Sequence, residues 1–201
     1  MDPALDLAAA AYALAGLKPF PVAITTVADG RANGLISLSF ASGGIVPEAP
    51  RATIGLTKYN LTHDLVHESG VFAVHLLGND ESIIDASLEI IMGLGGSSGR
   101  DADKISAFRT KTGETGSPIL LDALSYVEAR LVKAFDADEN TIFLGDVVAA
   151  ERLNPGGRLN IGEAWSKLPP AWIERYDRNH VPQLEHARQC RVLAAEQGVT
   201  E

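Results

Sequence analysis

The sequence predicts a mainly β protein with flanking helices, in which antiparallel strands form a barrel. Asp29-Gly30 lies between two β-rich runs, and Asp-Gly is a strong hairpin signal there because glycine accepts the positive φ of a tight turn. Apolar and polar residues alternate with a period of two in the runs 35–40 and 53–57, which is typical of strands with two different faces. Two longer β-rich runs, about 123–135 and 141–152, are joined by DADEN and would complete an antiparallel barrel.

The run 35–40 is predicted to have one apolar face and one face with hydroxyl groups. Alternation places Ile36, Leu38 and Phe40 on the apolar side, and Leu35, Ser37 and Ser39 on the other. In the run 53–57, Ile54 and Leu56 form the apolar side. Gly55 lies on the opposite side, and a glycine within a strand often marks the close approach of a ligand or another backbone.

A helix is predicted to begin at Leu61 and to end at Gly70. Asn60 is a good N-cap residue and Gly70 is a good C′ residue. Lys58 and the Thr62 hydroxyl lie on either side of the cap, where the free N–H groups of the first turn form the positive end of the helix dipole. Because these groups would converge on an anion, the segment is predicted to bind a phosphate group.

The remaining elements follow from shorter patterns. The run VFAVHLL after Gly70 is predicted to be a buried strand, and Asn79-Asp80 to start a helix over residues 81–93. Residues 93–100 form a glycine-serine loop, followed by a short helix near Asp103-Lys104 and a loop to Pro118. After Asn154 the composition changes, and the tail carries both tryptophans, a Pro-Pro pair and a charged helical run.

Length and charge limit the class of protein. A chain of 201 residues with a hydrophobic content of 46% can bury one sizeable core, which suits one domain or one domain with an appendage. Its net charge of −9 argues against a nucleic-acid binder and against a polybasic membrane anchor, because both need clustered Lys and Arg.

The N-terminal run and the single cysteine bear on location. The apolar run within residues 1–18 follows Asp2 and Asp6 without any Lys or Arg, and it is too short to span a bilayer, so neither a signal peptide nor a membrane span is expected. We expect an amphipathic helix instead, with an apolar stripe of Leu7, Ala10, Leu14 and Leu17. Cys190 is the only cysteine, so the chain forms no intrachain disulfide and suits the cytoplasm.

The order of these segments resembles the flavin reductase-like family of FMN-binding split barrels. The resemblance is carried by PVAITTVADGRANGLISLSFAS, then TKYNLTHDLVHESGVFAVHLL, then GRDADKISAF, then SYVEARLVKAFDADENTIFLGDVVAA, over about residues 19–150. It implies an antiparallel split β-barrel. The expected organisation is an N-terminal helix over residues 1–18, a flavin-binding domain over 19–153, and a C-terminal extension over 154–201 that packs on the barrel or on a dimer partner.

The resemblance also implies a flavin site. Members of the family place the second strand of the hairpin, here the run 35–40, beside the flavin ring, and they carry FMN phosphate contacts on a Lys-x-x-x-Thr segment. The residues expected to bind the cofactor are Ser37, Leu38, Ser39, Phe40, Ser42, Lys58, Tyr59, Asn60 and Thr62. The pattern alone leaves two other interpretations open: an ordinary half-exposed strand with serines facing water, and a capped surface helix with a solvated lysine.

Asn140 is the expected contact on the nicotinamide side. Family members that oxidise a nicotinamide often have histidine at this place. An asparagine side chain donates and accepts hydrogen bonds but does not titrate near neutral pH. Asn140 therefore cannot act as a charged or proton-relaying contact.

Three further motifs have weaker functional interpretations. His63 and His67 share a helix face, but Asp64 replaces the glutamate of the zinc-protease motif and no third ligand follows at a familiar spacing, so no metal site is expected. Residues 93–99 lack the last glycine of a dinucleotide loop and no strand precedes them, so a flexible connection is expected. Asp103-Lys104 matches a landmark of the family, although a surface ion pair would also explain it.

The resemblance implies an oxidoreductase that needs no catalytic side chain, since the isoalloxazine ring itself carries the hydride. We expect an NAD(P)H-dependent flavin reductase that binds FMN, with FAD as the alternative flavin and NADH or NADPH as the electron donor. A cytoplasmic homodimer is expected, and a partner monooxygenase is one destination for the reduced flavin. Two alternatives stay open: an FMN-binding electron-transfer flavoprotein that does not use nicotinamide, which Asn140 and the tail favour, and a non-enzymatic flavin carrier.

The aromatic residues of the tail have two interpretations. Trp165, Trp172 and Tyr176 cluster around Pro169-Pro170, and aromatic side chains of this size are rarely left in water. In one interpretation they pack on the barrel or on a partner subunit. In the other, the segment lies over the flavin site, where Trp172 and Arg175 restrict access to the ring.

Overall fold

A computed structural model describes residues 6–17 and 20–198. Their strands are β1 (Val22–Ala28), β2 (Arg31–Ser37), β3 (Phe40–Ser42), β4 (Arg51–Thr57), β5 (Val71–Leu76), β6 (Thr110–Thr112), β7 (Pro118–Leu120), β8 (Ser125–Ala137) and β9 (Asn140–Arg152). Their helices are α1 (Leu7–Ala15), α2 (Leu61–Ser69), α3 (Ile84–Gly95), α4 (Ile161–Lys167) and α5 (Pro170–Gly198). One antiparallel sheet runs in the order β2-β1-β5-β8-β9-β4-β3 and curls into a half-barrel, which confirms the predicted fold class.

The first hairpin is as predicted. β1 and β2 pair from Val22 opposite Ser37 to Ala28 opposite Arg31. Both turn residues have a positive φ, 47° at Asp29 and 77° at Gly30. This is the backbone of a type I′ turn, whose twist matches that of the flanking strands.

The predicted faces of the run 35–40 were wrong. The run is not one strand, because β2 ends at Ser37 and Phe40 begins β3, which pairs with β4. Leu35 is buried in the barrel core, whereas Ile36 packs against the cluster that contains α3. Since α3 covers the outer side of β2, both sides of this strand bury apolar residues and no simple hydroxyl-bearing face exists.

β4 matches its prediction. Ile54 and Leu56 are buried in the barrel core together with Phe72 and Phe143. A Cβ atom added at Gly55 would lie 2.5 Å from Ser39 Oγ. The glycine therefore leaves room for the Ser39 side chain.

β5 is a buried strand, as predicted, and lies between β1 and β8, while β8 forms a long hairpin with β9. His75 in β5 is fully buried. Its Nδ1 lies 3.2 Å from the Ala23 carbonyl oxygen, and its Nε2 accepts a hydrogen bond from the Leu120 amide at 3.1 Å. Burial lowers the pKa of His75 to about 4, so the imidazole is neutral near pH 7.

Three local predictions are corrected. α3 begins at Ile84 rather than at residue 81, because the Asp80 carboxylate accepts hydrogen bonds from the amide and the hydroxyl of Ser82 and holds a turn. The short helix near Asp103 is a turn in which the carboxylate accepts the amides of Ile105 and Ser106. The predicted loop to Pro118 contains the small ladder of β6 and β7.

α3, α4 and the start of α5 form a second layer against the sheet. Leu88 and Ile91 of α3 share a core cluster with Leu168 and Trp172 of the tail. At the other end of the chain, α1 leaves Leu7 and Leu14 exposed, while residues 1–5 and 18 of the predicted N-terminal helix segment lie outside the described residues. Among the helices described, none is long and apolar enough to cross a membrane.

Candidate functional site

A cleft of about 860 Å³ lies between the edge of the sheet and α5. One side, which we call the strand wall, consists of β2 with the two residues after it, the end of β4, the start of β9 and the first turn of α2. The other side, the helix wall, consists of the loop after α3 and part of α5. Small-molecule sites usually have volumes of about 300–1,000 Å³, so the cleft has the size of a cofactor site.

Most of the predicted site residues line this cleft. They are Ser37, Leu38, Ser39, Tyr59, Asn60, Thr62 and Asn140. The sheet brings them together, because β9 pairs with β4 so that Asn140 lies opposite Thr57, immediately before the start of α2. Residues that are far apart in the sequence thus share one surface.

Three predicted residues are not brought into the cleft. Phe40 packs against the barrel core, and the Ser42 hydroxyl donates to the Gly44 carbonyl at 2.9 Å. The Lys58 ammonium donates to both carboxylate oxygens of Asp136 at 2.7 and 2.8 Å. The expected convergence of Lys58 on the start of α2 is therefore corrected, because the hairpin of β8 and β9 supplies a carboxylate that holds this cation away.

The start of α2 retains the features of an anion site. The Asn60 side chain does not cap the helix, because its Nδ2 donates to Thr57 Oγ1 at 2.5 Å. In the described part of the chain, the amides of Leu61 and Thr62 have no protein acceptor. The buried Thr62 hydroxyl accepts a hydrogen bond from Asn33 at 3.0 Å, which leaves its own hydrogen available. These donors lie at the positive end of the helix dipole.

Lys104 supplies a cation to the cleft. Its buried Nζ donates to the carbonyl oxygens of Leu94 and Ser97 at 2.9 and 3.2 Å, so the surface ion pair considered for Asp103-Lys104 is not formed. Burial lowers the pKa of Lys104 to about 8, and the side chain is therefore still largely charged at pH 7. Sequence analysis noticed this residue but did not place it in the site.

The glycine-serine loop is a wall of the cleft rather than a free connection. The loop residues 96–99 line the cleft and are held from both sides. The Arg31 guanidinium donates to the Gly99 carbonyl and the Asn179 amide donates to the Gly96 carbonyl, both at 3.1 Å. The prediction of a flexible connection missed these contacts because they come from residues distant in sequence.

Of the His63 and His67 pair, His63 is held by the scaffold and His67 is exposed. The Nδ1 atom of His63 lies 3.0 Å from Asp64 Oδ1, and its Nε2 lies 2.9 Å from Thr141 Oγ1. Both ring nitrogens thus already have protein partners. Among the residues that the structure describes, no group of three or more His, Cys, Asp and Glu side chains could hold a metal ion.

α5 contributes to the helix wall with different residues than predicted. Trp172 is buried in the core, where its Nε1 donates to the Met92 carbonyl at 3.1 Å, and Arg175 does not line the cleft. The residues that do so are Tyr176, Arg178, Asn179, His180, Pro182 and Gln183, with Trp165 from α4. The signal in the sequence was the spacing of Trp172, Tyr176 and His180, which places three aromatic rings on one helix face.

The half-barrel and the cleft at its edge define the class of FMN-binding split barrels. The flavin reductase like domain matches residues 16–161. The chain therefore belongs to the flavin reductase-like family of oxidoreductases. The match ends at the start of α4, so α5 lies outside it.

The chain is also similar to two curated relatives, and its fold is similar to that of a solved structure. The chain is 30% identical over 131 residues to the ferric-chelate reductase (NAD(P)H) of Archaeoglobus fulgidus, covering 65% of this chain and 73% of that protein. It is 31% identical over 134 residues to the high molecular weight rubredoxin of Moorella thermoacetica, covering 66% of this chain but only 56% of that longer protein. The FMN-binding protein of Thermus thermophilus shares the fold, with a TM-score of 0.58 and 22% identity over 67% of this chain and 72% of that one.

Proposed function

We propose that the protein is an NAD(P)H-dependent flavin reductase that binds FMN in the cleft. The observation that carries the proposal is the single cleft in which Ser37, Ser39, Asn60 and Thr62 meet, in a chain of the flavin reductase-like family. The relative from Archaeoglobus fulgidus is named for NAD(P)H, which supports a nicotinamide donor. FAD remains the alternative flavin.

The charges that line the cleft favour an anionic cofactor. Lys104 and Arg178 contribute positive charge, and Asp101 contributes the carboxylate, in a chain whose net charge is −9. The amides of Leu61 and Thr62 at the start of α2 add donors for a phosphate group. We assign the flavin phosphate to this end of the cleft.

The strand wall suits the flavin ring. Ser37 Oγ accepts a hydrogen bond from the Ser39 amide at 3.0 Å, and both of these short side chains line the cleft. Leu38 and Ile142 add apolar surface. When bound, the isoalloxazine supplies the redox chemistry by accepting a hydride at N5 and passing electrons onward. The residues of the chain bind it, orient it and limit the access of water, and no side chain is assigned as an acid or base.

Asn140 favours a second candidate function. It lies in the cleft, where it offers an amide and no titratable group. An FMN-binding electron-transfer flavoprotein that does not use nicotinamide would need no titratable side chain at this position. A non-enzymatic flavin carrier would need only a site that binds the flavin. Both alternatives predict bound flavin that neither nucleotide reduces.

Anaerobic mixing distinguishes these functions. The purified protein is loaded with FMN or FAD and mixed with NADH or NADPH while the flavin absorbance is followed. Rapid bleaching by at least one nucleotide is expected. If flavin binds but neither nucleotide bleaches it, the electron-transfer alternative replaces the reductase. Release of the reduced flavin during gel filtration would support supply to a partner monooxygenase, whereas retention would indicate a prosthetic group.

We also propose a homodimer with the cleft near the subunit boundary. Phe135 and Ile142 are paired across β8 and β9 and are 62% and 44% exposed. Ile142 also lines the cleft, so a second copy that covers this pair would approach the site. Sedimentation should give twice the chain mass of 21.3 kDa, and a Phe135→Glu variant should shift towards the monomer. A wild-type monomer at micromolar concentration would contradict the dimer.

The cytoplasm is the proposed location. Cys190 is the only cysteine of the sequence, and it is free, as is usual where thiols are kept reduced. Fractionation of cells that produce the protein tests this, and recovery outside the cytoplasmic fraction would contradict it.

A further inference from the structure

Part of α5 is fixed across the cleft from the strand wall. We call residues 176–183 the cleft segment of α5. Before it, the Trp172 indole donates to the Met92 carbonyl of α3. After it, the His186 ring packs edge-on against Tyr59 at 5.7 Å, and Arg191 forms an ion pair with Glu139 beside the hairpin turn. Because both flanks are attached to the barrel domain, the cleft segment has a defined place facing the strand wall.

Within the described residues, the side chains of Arg178 and His180 in this segment make no hydrogen bond, whereas Asn179 donates to the Gly96 carbonyl. One face of the His180 ring lies against Tyr176, with ring centroids 6.0 Å apart and an interplanar angle of 21°. His180 is exposed and, within residues 6–17 and 20–198, no hydrogen bond fixes its ring. Arg178 reaches Glu174 only at 4.0 Å. An aromatic face and a guanidinium group are therefore available in the cleft.

Pro182 adds a backbone acceptor. Proline has no N–H group, so it cannot donate to the carbonyl four residues earlier in a helix. That carbonyl belongs to Arg178, which lines the same cleft. The cleft segment thus combines a ring for stacking, a cation for a phosphate and an acceptor for an amino or hydroxyl group.

These three groups match the chemistry of an adenosine nucleotide. Aromatic side chains stack on nucleobases, arginine is well suited to phosphate oxygens, and the free carbonyl can accept from the adenine amino group or a ribose hydroxyl. We propose that the cleft segment of α5 binds the adenosine half of a nicotinamide dinucleotide. The inference rests on the proposed function.

The position of the segment favours the electron donor over the adenosine of FAD. A hydride donor must bring its reacting atom to about 3–3.5 Å from the acceptor, and must therefore lie on the face of the flavin ring that is turned away from the strand wall. The cleft segment of α5 borders that side of the cleft. Because α5 lies outside the family match over residues 16–161, this recognition would be a feature of the present chain.

The test is the affinity of FMN-loaded protein for ADP-ribose, which carries the adenosine diphosphate but no nicotinamide. His180→Ala should raise the Kd of ADP-ribose about tenfold or more, because base stacking on an aromatic ring typically has an effect of this size. His180→Phe should restore much of the affinity, since it keeps an aromatic face. Val181→Ala is the matched control, because Val181 is exposed on α5 and does not line the cleft. Val181→Ala should change the FMN affinity by less than about twofold, and in His180→Ala the loss of ADP-ribose affinity should exceed any loss of FMN affinity.

Several outcomes would overturn the inference. Unchanged ADP-ribose affinity in His180→Ala would do so, as would the absence of ADP-ribose binding to the wild type. A loss of FAD affinity relative to FMN, with ADP-ribose unaffected, would assign the adenosine site to the flavin. In each of these cases flavin reduction by NAD(P)H would persist. Failure of both nucleotides to reduce the wild-type flavin would instead contradict the proposed function.

Discussion

The two walls of the cleft are built by different kinds of interaction. The strand wall is fixed by main-chain pairing, since β9 pairs with β4 over its whole length and places Thr57 opposite Asn140, while β3 pairs with residues 52–54 on the other side. The helix wall is fixed by side chains, through the Trp172 indole, the Asn179 amide and the Lys104 ammonium. A wall made by a hydrogen-bonded ladder tolerates many side-chain changes, whereas a wall made by a few side chains depends on each of them. The predictions below test this difference.

The largest expected effect concerns the scaffold of the strand wall. His75 is buried and neutral, with its pKa lowered by burial to about 4 from 6.5. The unfolded chain therefore binds a proton between about pH 6.5 and 4 that the native state does not. The contribution of His75 to the free energy of unfolding should be fully present above pH 6.5. The free energy of unfolding should fall by about 3 kcal/mol as the pH drops to 4. Chemical denaturation at several pH values measures this.

A variant isolates the contribution of His75. His75→Gln keeps a polar side chain but cannot titrate, so its stability should decline less steeply over the same pH range, whatever its absolute stability at pH 7. Equal slopes for the variant and the wild type would show that His75 does not cause the acid sensitivity.

The second effect compares two lysines. Lys104→Met removes the buried cation that holds the Leu94 and Ser97 carbonyls. We expect the Kd of FMN to rise about 10- to 150-fold, from a charge-assisted contact of about 1.5–3 kcal/mol. Lys58→Met is the matched control, because Lys58 pairs with Asp136 outside the cleft, and an exposed pair contributes at most about 1 kcal/mol. A larger increase in the Kd of FMN for Lys58→Met than for Lys104→Met would support Lys58 as the phosphate contact. Circular dichroism of both variants checks that they fold.

The comparison between the walls also shows what the sequence could predict. The turn at Asp29-Gly30, the strands β4, β8 and β9 and the start of α2 follow from local patterns, and they carry most of the strand wall. The ion pair of Lys58 with Asp136 could not be predicted, because Asp136 lies 78 positions away in sequence. The roles of Lys104 and His180 depend on helix packing between distant segments, and no local pattern reports such packing. The spacing of Trp172 and Tyr176 in the sequence placed both rings on one helix face. Only the structure shows that Trp172 is buried in the core and that Tyr176 lines the cleft.

The third effect is a pH dependence of the site itself. The pKa of Lys104 is lowered by burial to about 8, so its charge is present below that pH and is lost above it. The affinity for FMN should therefore decrease as the pH rises from 7 to 9. The FMN affinity of the Lys104→Arg variant should not change over this pH range, because arginine stays protonated. Titrations of FMN at three pH values measure this, and a pH-independent affinity in the wild type would argue against a role of Lys104 in binding.

The smallest effect concerns the distal attachment of α5. Arg191→Ala removes the ion pair with Glu139, in which the arginine side chain is 70% exposed. Because an exposed pair contributes about 0–1 kcal/mol, the release of FMN should accelerate no more than about fivefold. Arg188→Ala, which affects only a contact within α5, should leave the release rate unchanged. Identical rates in both variants would show that this attachment does not restrict the cleft.

A crystal structure of the protein with FMN tests the central claim most directly. We predict that the phosphate lies within hydrogen-bond distance of the Leu61 and Thr62 amides, on the side of the cleft where Lys104 lies, and that the ring rests on the strand wall at Ser37 and Ser39 with its other face towards His180. A second cleft, of about 690 Å³, lies between the Asp29-Gly30 turn and residues 99–106. FMN bound there, or with its phosphate on Lys58, would contradict the site described for this protein.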